Sequence, residues 1–116
     1  MDSVAQGVEE LKTYEWAVFY SKVSTDKGDG IELLGVFFGG VSDSEKGASA
    51  IAIDCVNNIK GGTIFPRVVR LSESNNLIDA LYTSADHFEN IVHKMQETEL
   101  ISGRAQEINK IRRKNK

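Results

Sequence analysis

The chain has one cysteine, Cys55, and one proline, Pro66, in 116 residues. A lone cysteine cannot close an internal disulfide, which excludes a disulfide-stapled scaffold and favours a reduced, cytoplasmic setting. The longest uncharged apolar run, Leu33 to Val41, is far below the roughly 20 residues that span a bilayer, so no membrane partner is expected. Asp2, Glu9 and Glu10 stand where a secretory signal would have a basic start and an apolar run. Charge is nearly balanced, with 14 basic and 17 acidic side chains for a net −3. With 41% hydrophobic residues this excludes a disordered chain. No internal repeat and no low-complexity linker divides it, and one continuous core is expected.

What is present reads as alternating strands and helices. Val4, Val8 and Leu11 have helical spacing within 3–13 and could form a short lead-in. The run 16–23 (WAVFYSKV) is dense in aromatic and β-branched residues and predicts a strand. Residues 24–30, with two aspartates and two glycines, predict a turn; they lack the alternating acids of a calcium loop. A second strand is expected over 31–38, forming an antiparallel hairpin with the first. Strict alternation would put Ile31, Leu33, Gly35 and Phe37 on one face and Glu32, Leu34, Val36 and Phe38 on the other. Both sets are mostly apolar, so both faces of the sheet need cover.

Gly39-Gly40 should end that strand, and Ser42-Asp43-Ser44-Glu45 has the form of a capping box opening a helix over 43–60. Ala48, Ile51, Ala52, Cys55, Val56 and Ile59 make its apolar face, and Gly61-Gly62 its stop. A third strand over 63–71 carries Pro66, which belongs at an edge or a bulge. A long helical region follows, with a stripe of Leu77, Leu81, Ala85, Phe88, Val92 and Met95 widened by Ile78, Tyr82 and Ile91, and an interruption expected at Gly103. The order strand-strand-helix-strand-helix predicts an α+β fold: a small, mainly antiparallel sheet with a long C-terminal helical region. We place a single domain at 1–103 and a basic tail or helix end at 104–116.

Chemistry-bearing residues are sparse. Gly40, Ser42 and Ser44 could hold an anion at the helix N-terminus. Asp43 and Glu45 would repel it, however, and no phosphate-loop pattern is present. His87 and His93 are six apart and cannot chelate one metal from a single helix. Glu89, His93 and Glu97 share a face but lack the partner ligands a metal centre needs, so neither metal nor cofactor is expected. Cys55 lies on an apolar face and reads as core. Arg67, on a mostly apolar strand, is the best single candidate for a small anionic ligand, with Trp16, Tyr20 and Phe38 as aromatic lining. His87, beside Phe88 and Ala85, is the one acid–base candidate for a cofactorless enzyme.

The clearest asymmetry is electrostatic. Residues 104–116 carry Arg104, Lys110, Arg112, Arg113, Lys114 and Lys116 against Glu107, a net +5, while the first 103 residues carry −8. Such a tail could reach phosphate backbones, but no aromatic accompanies it and the acidic body would repel nucleic acid. Self-association through an acidic body on a second copy ranks first, a solvated tail second and nucleic acid third. The physical argument for association is surplus apolar surface on both hairpin faces, at Ile53 and along the broad 77–95 stripe, although one compact monomer with helices on both faces would also satisfy the pattern. The leading expectation is a non-catalytic interaction or binding module working as a homo-oligomer, most simply a dimer. Its interface candidates are Val18, Leu34 and Val36 of the hairpin, Ile53 off the helix stripe, and Phe88 and Val92 of the long stripe. A small-ligand binding or sequestering protein is the alternative, and a cofactorless enzyme the third.

Overall fold

A computed structural model describes residues 14–25 and 30–114, with side chains through Arg112. The expected lead-in over 3–13 and most of the expected turn at 26–29 lie outside the described residues. The elements are β1 (Trp16–Ser24), β2 (Glu32–Ser42), α1 (Glu45–Asn58), β3 (Thr63–Arg70) and α2 (Leu77–Lys114). The sheet has three antiparallel strands in the order β2-β1-β3. The fold is thus α+β in the expected strand-strand-helix-strand-helix order.

The apolar character of both sheet faces has a direct structural consequence: each face carries its own helix. On one, Ala17 and Phe19 of β1 and Val69 of β3 pack against Ala80 and Phe88 of α2. On the other, Val18 packs against Ala48 and Ala52 of α1, with Trp16, Ile51 and Val68 around them. Two alanines on the contact line let α1 lie close to the sheet. β1 is central and consequently the most buried strand, with Ala17, Val18, Phe19, Ser21 and Val23 all sealed from solvent.

β2 differs from its expected course in two ways. It does not end at Gly39 but runs to Ser42, pairing Gly40 with Val18 and Ser42 with Trp16. It also does not alternate strictly. The register shifts between Val18 and Phe19 and between Lys22 and Val23, which leaves Gly39 and Leu34 as extra residues on β2. The bulge at Leu34 puts Leu33 on the same side as Val36 and Phe38, opposite Phe37, where plain alternation had paired Leu33 with Phe37. Gly40 takes φ 151, beyond the comfortable range of a residue with a Cβ.

The start of α1 is also shifted. Its N-cap is Ser44, not Ser42: Ser44 Oγ accepts from Gly47 N at 3.0 Å, and Ser42 Oγ accepts from Ser44 N at 3.3 Å. Glu45 is therefore the first helical residue and cannot close a capping box, whose carboxylate belongs three residues after the cap. At the other end, Gly61 and Gly62 at φ 104 and 156 turn the chain into β3.

α2 corrects two further expectations. It is continuous for 38 residues and passes through Gly103 without a break. A single exposed glycine costs a helix only about 1 kcal/mol relative to alanine. Asn76 opens it, its Oδ1 accepting from Asp79 N at 3.0 Å. The sheet-facing line is also rotated from the expected stripe: Ala80 and Ser84 are fully buried along with Phe88 and Val92, whereas Ile78 and Tyr82 stand in solvent. Small side chains at 80 and 84 allow close approach to the sheet, and the larger neighbours are left outside.

Candidate functional site

The four residues proposed to line a ligand site do not converge. Arg67 and Phe38 lie on the α2 side of the sheet, each a direct cross-strand neighbour of Phe19. Trp16 and Tyr20 lie on the α1 side. There Tyr20 stacks on Phe37 at 5.3 Å between ring centroids, and Trp16 lies beneath the Arg70 guanidinium at 5.9 Å. Arg67 is also engaged, its Nη1 donating to Ser84 Oγ of α2 at 2.9 Å. It acts as a sheet-to-helix tie rather than an open cation.

The hydroxyls proposed to receive an anion are likewise occupied, Ser44 as the helix cap and Ser42 as acceptor for Ser44 N. His87, the acid–base candidate, is exposed, its ring edge against Phe88. His93 and Glu97 form a solvent-exposed pair at 3.3 Å on α2. Among the described residues no group of three or more His, Cys, Asp and Glu side chains is placed to hold a metal. Burial raises the Cys55 thiol above its ordinary 9.0, with the nearby Asp54 carboxylate adding to the shift, so it is held as an unreactive neutral group.

The interface candidates divide by burial. Val18, Phe88 and Val92 are interior to the protomer, which corrects their assignment to a contact surface: Val18 packs against α1, Phe88 packs against the sheet, and Val92 is buried one turn further along α2. Val36 is half-buried. Leu34 and Ile53 are exposed.

The surface that does stand out is on α2. After Met95 the helix leaves the sheet, and every side chain from Gln96 to Arg112 is exposed. At 1.5 Å per residue the whole helix is about 57 Å long, and this arm is roughly the last 28 Å of it. The arm carries Leu100, Ile101, Ile108 and Ile111, each more than half exposed, among Arg104, Lys110 and Arg112. Where it departs, Gln96 Nε2 donates to the Ile31 carbonyl at 2.6 Å. An open cleft of about 650 Å³ lies there, lined by Gly30, Glu99, Leu100, Gly103 and Arg104. Sequence reasoning identified the basic character of this segment but not its exposed apolar side chains as a surface. The available signal was that Ile101, Ile108 and Ile111, seven and three residues apart, share one side of the helix.

No helix among the described residues is long and apolar enough to cross a membrane. Compared with protein-family models, with curated proteins and with solved structures, the chain matches none.

Proposed function

We propose that this chain is a non-catalytic interaction module that works as a homo-oligomer, most simply a dimer, with Cys55 kept reduced in a cytoplasmic setting. The observation that carries this reading is the apolar surface left exposed on the arm of α2, beyond the part of the helix that packs on the sheet. Leu100, Ile101, Ile108 and Ile111 lie on a helix with no sheet beneath it. Burying a large apolar side chain is worth about 1.5–3 kcal/mol, so four on one short arm make a substantial driving force for association. The placement of Arg67 against Ser84 gives the small-ligand alternative no support.

Sedimentation velocity of the full chain at micromolar concentration tests the reading. A reversible dimer or larger homo-oligomer is expected. A monomer across the micromolar range removes the proposal.

A further inference from the structure

The outer face of α2, turned away from the sheet, has a pattern that a second copy of the same helix satisfies when laid antiparallel. Asp86 is two residues from buried Ser84 and two from buried Phe88, so helical geometry turns it directly away from the sheet. Eighteen residues make five full turns at 3.6 per turn. Tyr82 and Leu100 therefore lie on one line, Asp86 and Arg104 on the same side, and His93 and Ile111 with them. This line is in solvent from Tyr82 to Ile111.

Two properties change along it. Apolar side chains gather at its ends, Ile78 and Tyr82 near the start and Leu100, Ile101, Ile108 and Ile111 on the arm, with Asp86, Glu89, His93 and Glu97 between. Charge also reverses along the helix as a whole. Residues 77–99 hold Asp79, Asp86, Glu89, Glu97 and Glu99 against Lys94, a net −4. Residues 100–114 hold Arg104, Lys110, Arg112, Arg113 and Lys114 against Glu107, a net +4. The helix dipole favours cations only within the last turn, which leaves Arg104, ten residues before Lys114, unaccounted for.

We propose that two copies pair through this face, antiparallel about a two-fold axis near residue 95. The inference rests on the homo-oligomer reading above and names its surface. In that register Tyr82 meets the partner's Ile108, and Asp86 meets the partner's Arg104. Asp79 falls level with the partner's Ile111 and beside the partner's Arg112, and each contact occurs twice by symmetry. Tyr82 and the partner's Ile108 cover one another at each end, Asp86 and the partner's Arg104 bring opposite charges together, and each helix keeps its own sheet on the side turned away from the pair. A parallel pairing would set acid against acid and base against base.

The test is a charge exchange at two exposed positions, Asp86 and Arg104, read by sedimentation equilibrium on the full chain with circular dichroism as the folding control. Asp86→Arg alone and Arg104→Asp alone each place like charges together twice, and each should weaken the dimer by about tenfold or more. An equimolar mixture of the two single variants should regain the wild-type affinity. In the mixed dimer the arginine introduced at position 86 of one chain faces the aspartate introduced at position 104 of the other, and the two native side chains face each other at the symmetric contact. The double variant should regain the affinity alone. A wild-type dimer whose affinity is unmoved by either single variant, or is not restored in the mixture, overturns this interface and leaves the homo-oligomer reading intact. A monomeric wild-type chain overturns both.

Discussion

Arg67 Nη1 and Ser84 Oγ join the centre of β3 to the buried line of α2 at 2.9 Å, a hydrogen bond between side chains that ties the sheet to the long helix. Ser84 is fully buried, so its hydroxyl has no recourse to water. Arg67 is half-buried and can turn its remaining donors to water. The two truncations should therefore differ. Arg67→Ala orphans a buried hydroxyl and also removes the packing of its aliphatic stem, and should cost about 1–3 kcal/mol. Ser84→Ala leaves behind only a group that water can reach, and should cost about 0.5–1.5 kcal/mol. Urea denaturation of both variants measures the losses, and a loss below about 0.5 kcal/mol in each would mean that the bond itself contributes little.

Ser21 presents the opposite case. It is nearly fully buried on the central strand, yet its hydroxyl has no hydrogen-bond partner among the described residues. A polar group buried without a partner is a net cost. Ser21→Ala should then be neutral or should stabilise the fold by up to about 1 kcal/mol, where most core substitutions destabilise. A loss of more than about 1 kcal/mol on thermal denaturation would mean the hydroxyl is satisfied after all.

Gly39 is the extra residue of a β-bulge, and the space beside it is already filled. A Cβ there would meet Cys55 Sγ at 3.1 Å, with Val18 Cγ1 and the Val18 carbonyl oxygen each at 3.3 Å. Two of those atoms belong to the buried central strand and cannot yield easily. Gly39→Ala should therefore cost about 1–3 kcal/mol through overpacking between β2 and α1. A denaturation midpoint unchanged from wild type would show that α1 moves outward freely.

These residues also show where sequence pattern suffices and where it does not. The helices and strands were legible because their apolar spacing is strong: Ala48, Ala52 and Cys55 mark one face of α1, and the doubly apolar hairpin asked for cover on both faces, which the chain's own two helices supply and which therefore does not itself argue for a second copy. The bulges at Leu34 and Gly39 were not legible, for the same reason. When both faces of a strand are apolar, alternation carries no register, and an extra residue leaves no trace in the pattern. The α1 cap was displaced by two because Ser42 and Ser44 both offer a hydroxyl, and only tertiary packing selects between them. Arg67 was visible as an unusual charge on an apolar strand. Its destination at Ser84 depends on how closely α2 approaches, which the small side chains at 80 and 84 decide and which hydrophobic spacing alone does not weigh.

The Cys55 thiol predicts a weak alkaline dependence. Burial in the folded state raises it above the ordinary 9.0, so between 9.0 and the higher folded value the unfolded chain has lost a proton that the folded chain keeps. The unfolded state then binds fewer protons, and stability falls as pH rises through that window. Below 9.0 this contribution is fully present and flat. Comparing the pH profile of the full chain with that of Cys55→Ala should show a steeper alkaline loss in the wild type. Coincident slopes above pH 9 would count against a shifted thiol.

The arm of α2 should behave as a region of low local stability within a stable fold, and Gly103 tests this. Nothing lies within 4 Å of where its Cβ would be, and the helix continues on both sides, so alanine fits without contact and adds only helix propensity. That gain is about 0.8–1.0 kcal/mol. Because the arm makes no core contact, its fraying is separate from global unfolding, and the gain should appear locally rather than in the global midpoint. Hydrogen exchange of amides around 100–108 should slow by about fourfold or fivefold in Gly103→Ala, with the exchange of β1 unchanged. Residue 103 lies to one side of the outer face, so the same variant should also tighten self-association, by removing part of the cost of holding the arm straight. If exchange slowed equally in β1 and the arm, the arm would be part of the cooperative core, and its apolar side chains would need another explanation.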